Sequence, residues 1–489
     1  MPPPLATVLP VRLGWAVVLV GVGAALAAAA GVPARATYGA RVTADEPQYL
    51  LTAISLAEDH DLDISDELRQ ERWRPFHEAL LPQQSEVQRD GSELSPHDPL
   101  LPAILAVPVA LGGWIGAKLA IAVIAGILAG LLVWVAVRRF AVPVRPAAVV
   151  VGVFAITPPL TVYGAQIYPE LPAALALTVV IAAATGPLTT RGRIAATLGV
   201  VALPWLSVKY VPVAAVLAAL VLWLVHARLG AAPALAVGAV LAVMGAGYLT
   251  FHHLVYGGWT VYAAGSHFAG GELTVAGEHP RYLGRSSRLL GLLTDRTYGL
   301  AAWAPAYILT VGALAALARR RPPGWLVLVL PVVAGWLTAT FVALTMHGVW
   351  WPGRQVVVVL PALVLATAWW VGRAELAARW RAGLAALGGL AVVTWVWVLV
   401  DVLRMQRRLV VDVARDAGPV QAVLRMTLPD YRHPSAGTWA RHLAWLAVVA
   451  FVAAAGWYSL DGRSNDQDHP STARRSVPAG PARGGVRVG

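Results

Sequence analysis

The chain has no cysteine in its 489 residues. Disulfides, thiolate metal sites and cysteine nucleophiles are therefore excluded. Charge is scarce as well: 13% of residues are charged against 58% hydrophobic, and the mean hydropathy is +0.64. No soluble domain needs so much apolar sequence, and the long uncharged stretches read as repeated transmembrane helices. There is no phosphate-binding G-x-x-x-x-G-K-[ST] loop and no G-x-S-x-G elbow, so nucleotide hydrolysis and serine-hydrolase chemistry lack support. No H-x-x-x-H or similarly spaced cluster exists, so no metal ligands are assigned and no cofactor is required; a divalent cation has no support in the pattern. No soluble domain of normal size and no internal repeat is visible.

Twenty Trp and 35 Pro suit membrane helices with interfacial anchors and local breaks. The net charge of +12 invites a nucleic-acid reading, but much of the Arg flanks apolar spans, the mark of membrane orientation. Twelve spans are expected: 13–32, 114–137, 144–163, 171–186, 194–208, 211–227, 232–256, 298–318, 324–345, 355–372, 383–402 and 441–459. Several are short for a bilayer of about 30 Å, which implies helices that stop early around a cavity. Ala34-Arg35-Ala36 could pass for a signal-peptidase site, but the first span is expected to stay as an anchor. The even span count then leaves both termini inside. Inner loops carry Arg138, Arg139 and Arg145; Arg191 and Arg193; Arg228; Arg319, Arg320 and Arg321; and Arg373, Arg379 and Arg381. Each is basic and almost free of acid, as the positive-inside rule requires. The expected division is a polytopic all-α domain over 1–459 and a disordered cytoplasmic tail over 460–489.

Between the first two spans lies the large first outer loop, 33–113, whose stretch from about Pro33 to Asp98 holds 14 of the 26 acidic residues. Near its start stands Thr43-Ala44-Asp45-Glu46-Pro47-Gln48-Tyr49-Leu50. Pro47 suits the first turn of a helix, Asp45 or Glu46 its cap, and the helix N-terminus favours their charge. Tyr49, Leu50, Ala53, Ile54 and Ala57 follow at three-to-four spacing, the pattern of an interfacial helix. Pro99–Gly113 is too short to cross and is expected to form a second interfacial or re-entrant helix.

Ionisable groups at the ends of spans are costly to desolvate and are therefore functional candidates. Here they gather on one side. His97 and Asp98 close the first loop, Tyr168-Pro169-Glu170 opens a span, and Lys209 ends another beside Tyr210. Asp295-Arg296-Thr297-Tyr298 and His347-Gly348-Val349-Trp350-Trp351-Pro352-Gly353-Arg354 precede two more. Taken singly each has a plain explanation, as belt aromatics or snorkelling cations. Their coincidence on one face, from separate segments, does not.

With these residues in hand the chain resembles the GT-C glycosyltransferases, polytopic enzymes that take a sugar from a polyprenyl-phosphate carrier. Asp45-Glu46-Pro47-Gln48-Tyr49 looks like their acidic first-loop motif, nearest to the branch of protein O-mannosyltransferases and the lipid A aminoarabinose transferase. The resemblance extends to Tyr168-Pro169-Glu170, to Asp295–Gly299 and to Trp350–Arg354. It implies Asp45 as base or substrate orienter; Glu46 beside it is the other expected catalytic acid. It implies Glu170 as a partner for acceptor or charge, and Lys209, Arg296 and Arg354 as binders of the carrier phosphate. Tyr49, His97, Asp98, Tyr168, Tyr298 and Trp351 complete the expected substrate-binding set, with Trp351 and Tyr168 covering sugar faces or the isoprenoid head. The partners implied are a polyprenyl-phosphate-linked sugar, a glycan, lipid or protein acceptor, and membrane lipid. A folded C-terminal outer domain, present in that branch, has no counterpart here.

The chemistry suits the residue types in its own right. Expulsion of a phosphate from an anomeric carbon passes through an oxocarbenium-like state that anions stabilise. An acceptor hydroxyl needs a carboxylate to take its proton, and the leaving phosphate needs Arg or Lys. Direct displacement inverts the anomeric centre. The competing reading is a transporter or flippase of a lipid-linked or small anionic substrate. Such a carrier should place ionisable groups at mid-membrane, where this chain has Ala, Val and Leu.

Overall fold

The computed structural model describes residues 11–268, 270–373 and 378–460. Within them the apolar runs form helices in the order α1 (Val11–Ala29), α2 (Glu46–Glu58), α3 (Ser65–Arg69), α4 (Leu100–Phe140), α5 (Val144–Ala155), α6 (Leu160–Tyr163), α7 (Glu170–Ala184), α8 (Thr190–Leu206) and α9 (Val211–Leu229). There follow α10 (Ala231–Tyr256), α11 (Tyr282–Arg285), α12 (Arg288–Thr294), α13 (Leu309–Arg320), α14 (Trp325–Leu337), α15 (Leu360–Arg373), α16 (Ala378–Leu403), α17 (Gly418–Thr427) and α18 (Ala436–Tyr458). No β-strand forms among the described residues; the first loop is tied instead by isolated bridges such as Ala40 with His77 and Asp63 with Leu94.

Eight of the helical runs are long and apolar enough to cross a membrane, and α5 and α7 are apolar but shorter. The chain is a multi-pass, all-α membrane protein. Each of the twelve expected spans overlaps a helix, and several are short for identifiable reasons. The segment 298–318 enters through turns, so that only Leu309–Arg320 is α-helical. The last turn of α14 widens into a π-helix over Thr338–Val342. The tail expected over 460–489 lies, apart from Leu460, outside the described residues.

Helices α7 and α15 are enclosed by the others, α15 being buried from Leu360 to Trp370. Helices α1, α10 and α18 keep large apolar side chains exposed, among them Trp15, Leu19, Val243 and Phe451. Such faces are stable against lipid, because acyl chains are as apolar as the side chains. The segment expected as a second interfacial or re-entrant helix after Pro99 forms the first part of α4. It is set off by a break at Gly112 (φ −148°, ψ 16°) and Gly113 (φ 58°, ψ −148°). A Cβ on Gly116 would lie 2.2 Å from the carbonyl oxygen of Pro108, so the two parts fold tightly against each other.

Three of the arginines expected on the inner side meet where α4, α7, α9 and α15 end. Arg139 donates to the carbonyl of Ala182 (3.0 Å), Arg228 to that of Gly186 (3.0 Å) and Arg373 to that of Phe140 (3.2 Å). Each meets backbone oxygens at a helix C-terminus, where the dipole favours a cation. Helix α2 sits towards the opposite end. It was expected to lie on a surface, but residues Glu46 to Ser55 are all buried, packed on α4 and covered by the rest of the first loop.

Candidate active site

The acidic pair at the start of α2 divides into two different environments. Ala44 adopts a left-handed conformation (φ 51°), which turns the chain so that Asp45 becomes the N-cap of α2 while its side chain makes no capping bond. Glu46 points inward and is fully buried. One of its oxygens accepts the backbone N–H of Thr43 (2.9 Å) and the other that of Ile167 (2.8 Å). Tyr168 donates its hydroxyl to the carbonyl of Thr43 (3.1 Å). The start of α2 is thereby fastened to the corner that opens α7, a junction between segments more than a hundred residues apart.

That junction brings Asp45 and Glu170 to one guanidinium. Arg354 donates from Nη2 to Asp45 (2.5 Å) and from Nε to Glu170 Oε1 (2.8 Å). Its Cζ lies 4.2 Å from the ring centroid of Tyr168 and 5.2 Å from that of Trp350. Gly353 precedes it at φ 85°, where a Cβ would meet Leu300 at 2.7 Å, so the turn that aims Arg354 depends on glycine. Lys209 Nζ donates to the same Glu170 oxygen (2.7 Å), while Glu170 Oε2, fully buried, has no hydrogen-bond partner. Two carboxylates and two cations therefore form one network of zero net charge. Arg354 is 7% exposed, Asp45 24% and Lys209 26%, so the network opens on the side of Asp45 and Lys209.

His97 lies beside it, stacked on Tyr49 with ring centroids 4.6 Å apart. Its Nε2 is 3.1 Å from Gln84 Oε1, and Gln84 donates its amide to the carbonyl of Ala44 (3.0 Å). That orientation of Gln84 makes His97 Nε2 the proton-bearing nitrogen. Burial pushes the Asp45 carboxyl up, but Arg354, and after it His97, outweigh burial and hold it down to about 2. Burial lowers His97 against the pull of Asp45. Burial also raises Glu46, opposed by Lys118 and the two backbone N–H groups. Asp45 is thus an anion at neutral pH, and its ordinary basicity is suppressed while Arg354 holds it.

Asp45, Glu170, Lys209, Arg354, Tyr168, Tyr49 and His97 are thus in one place, and five other expected residues stand in different settings. Glu46 is enclosed and its oxygens are occupied by backbone N–H groups. Asp98 accepts from Val208 N (2.8 Å), Tyr248 Oη (2.9 Å) and His252 Nε2 (3.1 Å), so both its oxygens are engaged. By gripping Val208 it positions the one-turn 3-10 segment that presents Lys209. Trp351 is 1% exposed, its ring packed against Trp303 and Trp395. The tryptophan over the network is its neighbour Trp350, beside Tyr168. Arg296 faces Asp430 (3.6 Å) rather than the network, and Tyr298 donates to the carbonyl of Gly348 (2.5 Å). Between them Asp295 accepts N–H groups of Thr297, Tyr298 and Tyr431, which makes this stretch a clasp for the last outer loop. Gln84 had no signal in the sequence. Lysine usage would have been one: Lys118 and Lys209 are the chain's two lysines, and Lys118 donates to the carbonyl of Arg41 (2.8 Å) beneath the same loop.

No family model matches the chain, and no curated protein does. Two solved structures do, both of ArnT from Cupriavidus metallidurans. The apo structure gives a TM-score of 0.51 at 16% identity, covering 91% of this chain and 78% of that one. The structure bound to undecaprenyl phosphate gives 0.49 at the same identity and coverage. ArnT is the lipid A aminoarabinose transferase, of the branch that the first-loop motif resembles. The chain has the multi-pass GT-C fold.

Proposed function

We propose that this protein is a membrane glycosyltransferase that moves a sugar from a polyprenyl-phosphate carrier to an acceptor hydroxyl on the outer face, with inversion. The observation that carries this is the network itself: on a GT-C fold, Asp45, Glu170, Lys209 and Arg354 converge from four separate segments at one end of the bundle. A structural network alone does not need Asp45 and Lys209 open to solvent while Glu170 is fully enclosed. The topology that goes with this reading has both termini cytoplasmic and the first loop outside, in keeping with the arginine-rich opposite end.

In the proposed reaction the carrier phosphate takes hydrogen bonds from Arg354 and Lys209, whose charges match it without a metal-bound nucleotide. The acceptor oxygen forms its bond to the anomeric carbon as the bond from that carbon to the phosphate oxygen breaks. The electron pair leaves with the phosphate, and the hydroxyl proton passes to Asp45. Arg354 links the two halves of the event, because a phosphate that draws it from Asp45 returns basicity to the carboxylate. Glu170 keeps both cations in place, and Tyr49, His97 and Trp350 line the approach.

The test is transfer of labelled sugar from a polyprenyl-phosphate donor by the purified protein in liposomes. Turnover that requires Asp45 and Arg354 supports the reading. Donor binding followed by movement of the intact lipid-linked sugar across the bilayer, without transfer, would replace it with a flippase.

A further inference from the structure

Three further carboxylates of the first loop meet at the far end of α2, about 20 Å along the helix from Asp45 at 1.5 Å per residue. Asp59 is the C-cap of α2, and Asp66 and Glu67 lie in the first turn of α3. One oxygen from each falls within 4.8 Å of the other two. The neighbouring acids of the same run are engaged elsewhere. Asp61 accepts from the Ser55 hydroxyl and Asp63 N, and Asp63 accepts from Ser65 N and Glu93 N. Glu67 differs from all of them. It is 1% exposed, and neither of its carboxylate oxygens accepts from an N–H or a hydroxyl; the side chain within hydrogen-bond reach is the carboxyl of Asp66.

A carboxylate so enclosed is unstable unless a cation or a proton meets it. The nearby arginines do not supply the cation directly. Arg72 donates to Glu58 (2.5 Å) and Arg69 to the carbonyl of Ser65 (3.2 Å). The donors that converge are all oxygen, with no imidazole or thiolate, a set suited to hard divalent ions. Asp59 is exposed, so water can complete the irregular six-to-eight-fold shell that calcium accepts and magnesium does not.

We infer that Asp59, Asp66 and Glu67 form a calcium-class cation site that ties the end of α2 to α3. This site is independent of the proposed transfer reaction. Its place in the fold gives it a task, since it anchors the far end of the helix whose first residues carry Asp45 and Glu46.

The experiment is equilibrium dialysis of radioactive calcium against the full-length, EDTA-stripped protein in detergent, with thermal unfolding measured in parallel. One ion per chain is expected, with a dissociation constant on the order of 10⁻⁴–10⁻³ M, as in weakly charged, water-rich sites. Glu67→Gln should weaken binding by about tenfold or more and abolish the rise in unfolding midpoint that calcium gives the wild type. Without calcium the same variant should be at least as stable as the wild type, because it removes an uncompensated buried acid. Asp59→Asn, at an exposed position, serves if Glu67→Gln fails to fold, and should also weaken binding. The inference is overturned if calcium does not saturate in the millimolar range, or if both variants bind it like the wild type. It is equally overturned if stability follows pH through Glu67 and ignores calcium, which would make a proton the partner of that carboxyl.

Discussion

Asp45→Asn and Glu46→Gln should fail in opposite ways, although the two residues are adjacent. The Asp45 carboxyl is held from 3.8 down to about 2. At about 1.4 kcal/mol per pH unit, its ionised form adds about 2 kcal/mol to stability. Because the folded value is the lower one, that contribution is complete above pH 3.8 and disappears as pH falls through 2. Asparagine keeps an oxygen to accept from Arg354 but has no charge. The variant should therefore be about 2 kcal/mol less stable at pH 7, with the deficit narrowing below about pH 4. It should remain folded while turnover falls about 10²–10⁴-fold, the range for loss of a general base. Glu46→Gln has one acceptor oxygen for two backbone N–H groups, so either Thr43 or Ile167 loses its bond. That should destabilise the junction by about 1–3 kcal/mol, and activity should fall only as far as Asp45 is displaced. Thermal unfolding in detergent and sugar transfer in liposomes, measured on both variants, separate these effects. Full transfer by Asp45→Asn, with transfer abolished in a well-folded Glu46→Gln, would reverse the two roles. If neither substitution affects transfer, the proposed function is wrong.

Three more outcomes are expected. Arg354→Ala should weaken polyprenyl-phosphate binding more than Arg354→Lys, since lysine keeps the charge but loses the two-pronged geometry; equal binding by wild type and Arg354→Ala removes the residue from the site. Asp98→Asn should leave a folded protein in which Val208 is less firmly held, so that donor KM rises about tenfold, the weight of one charge-assisted bond, with kcat largely kept; an unchanged KM would deny Asp98 its part in placing Lys209. For topology, a cysteine at Arg89 should react with an impermeant reagent from outside, and labelling only after permeabilisation would invert the orientation. Ser85 is unsuitable for this purpose, being 2% exposed and bonded to Glu93 at 2.6 Å.

The spans and the charged face were legible because both follow from the cost of placing polarity in lipid, which acts on local sequence. Asp45, Glu170, Lys209 and Arg354 could be named for the same reason: each is an ionisable group at the end of an apolar run. What could not be read was the direction in which a side chain leaves the backbone within a turn. Trp350 and Trp351 are indistinguishable by composition, yet one lies over Arg354 and the other in the Trp303–Trp395 core. Asp98 and Arg296 share their residue types with the network, but their partners are fixed by contacts with α10 and the last outer loop, more than a hundred residues away, while Tyr298 is held by the carbonyl of Gly348, 50 residues on. Helix α2 has the spacing of a surface helix because periodicity reports one apolar face and is silent about what covers the other.

The zero net charge of the network also sets a limit on how any anion can enter it. Two carboxylates already satisfy two cations, so an arriving phosphate leaves the site with an excess of negative charge in a poorly hydrated setting. Affinity and reactivity are therefore in opposition here: the acid that the reaction needs is also the one that repels the donor. Asp45→Asn removes that repulsion and should bind the polyprenyl phosphate more tightly than the wild type, even as it turns it over more slowly. Such a variant would hold its donor long enough for the loaded state to be isolated.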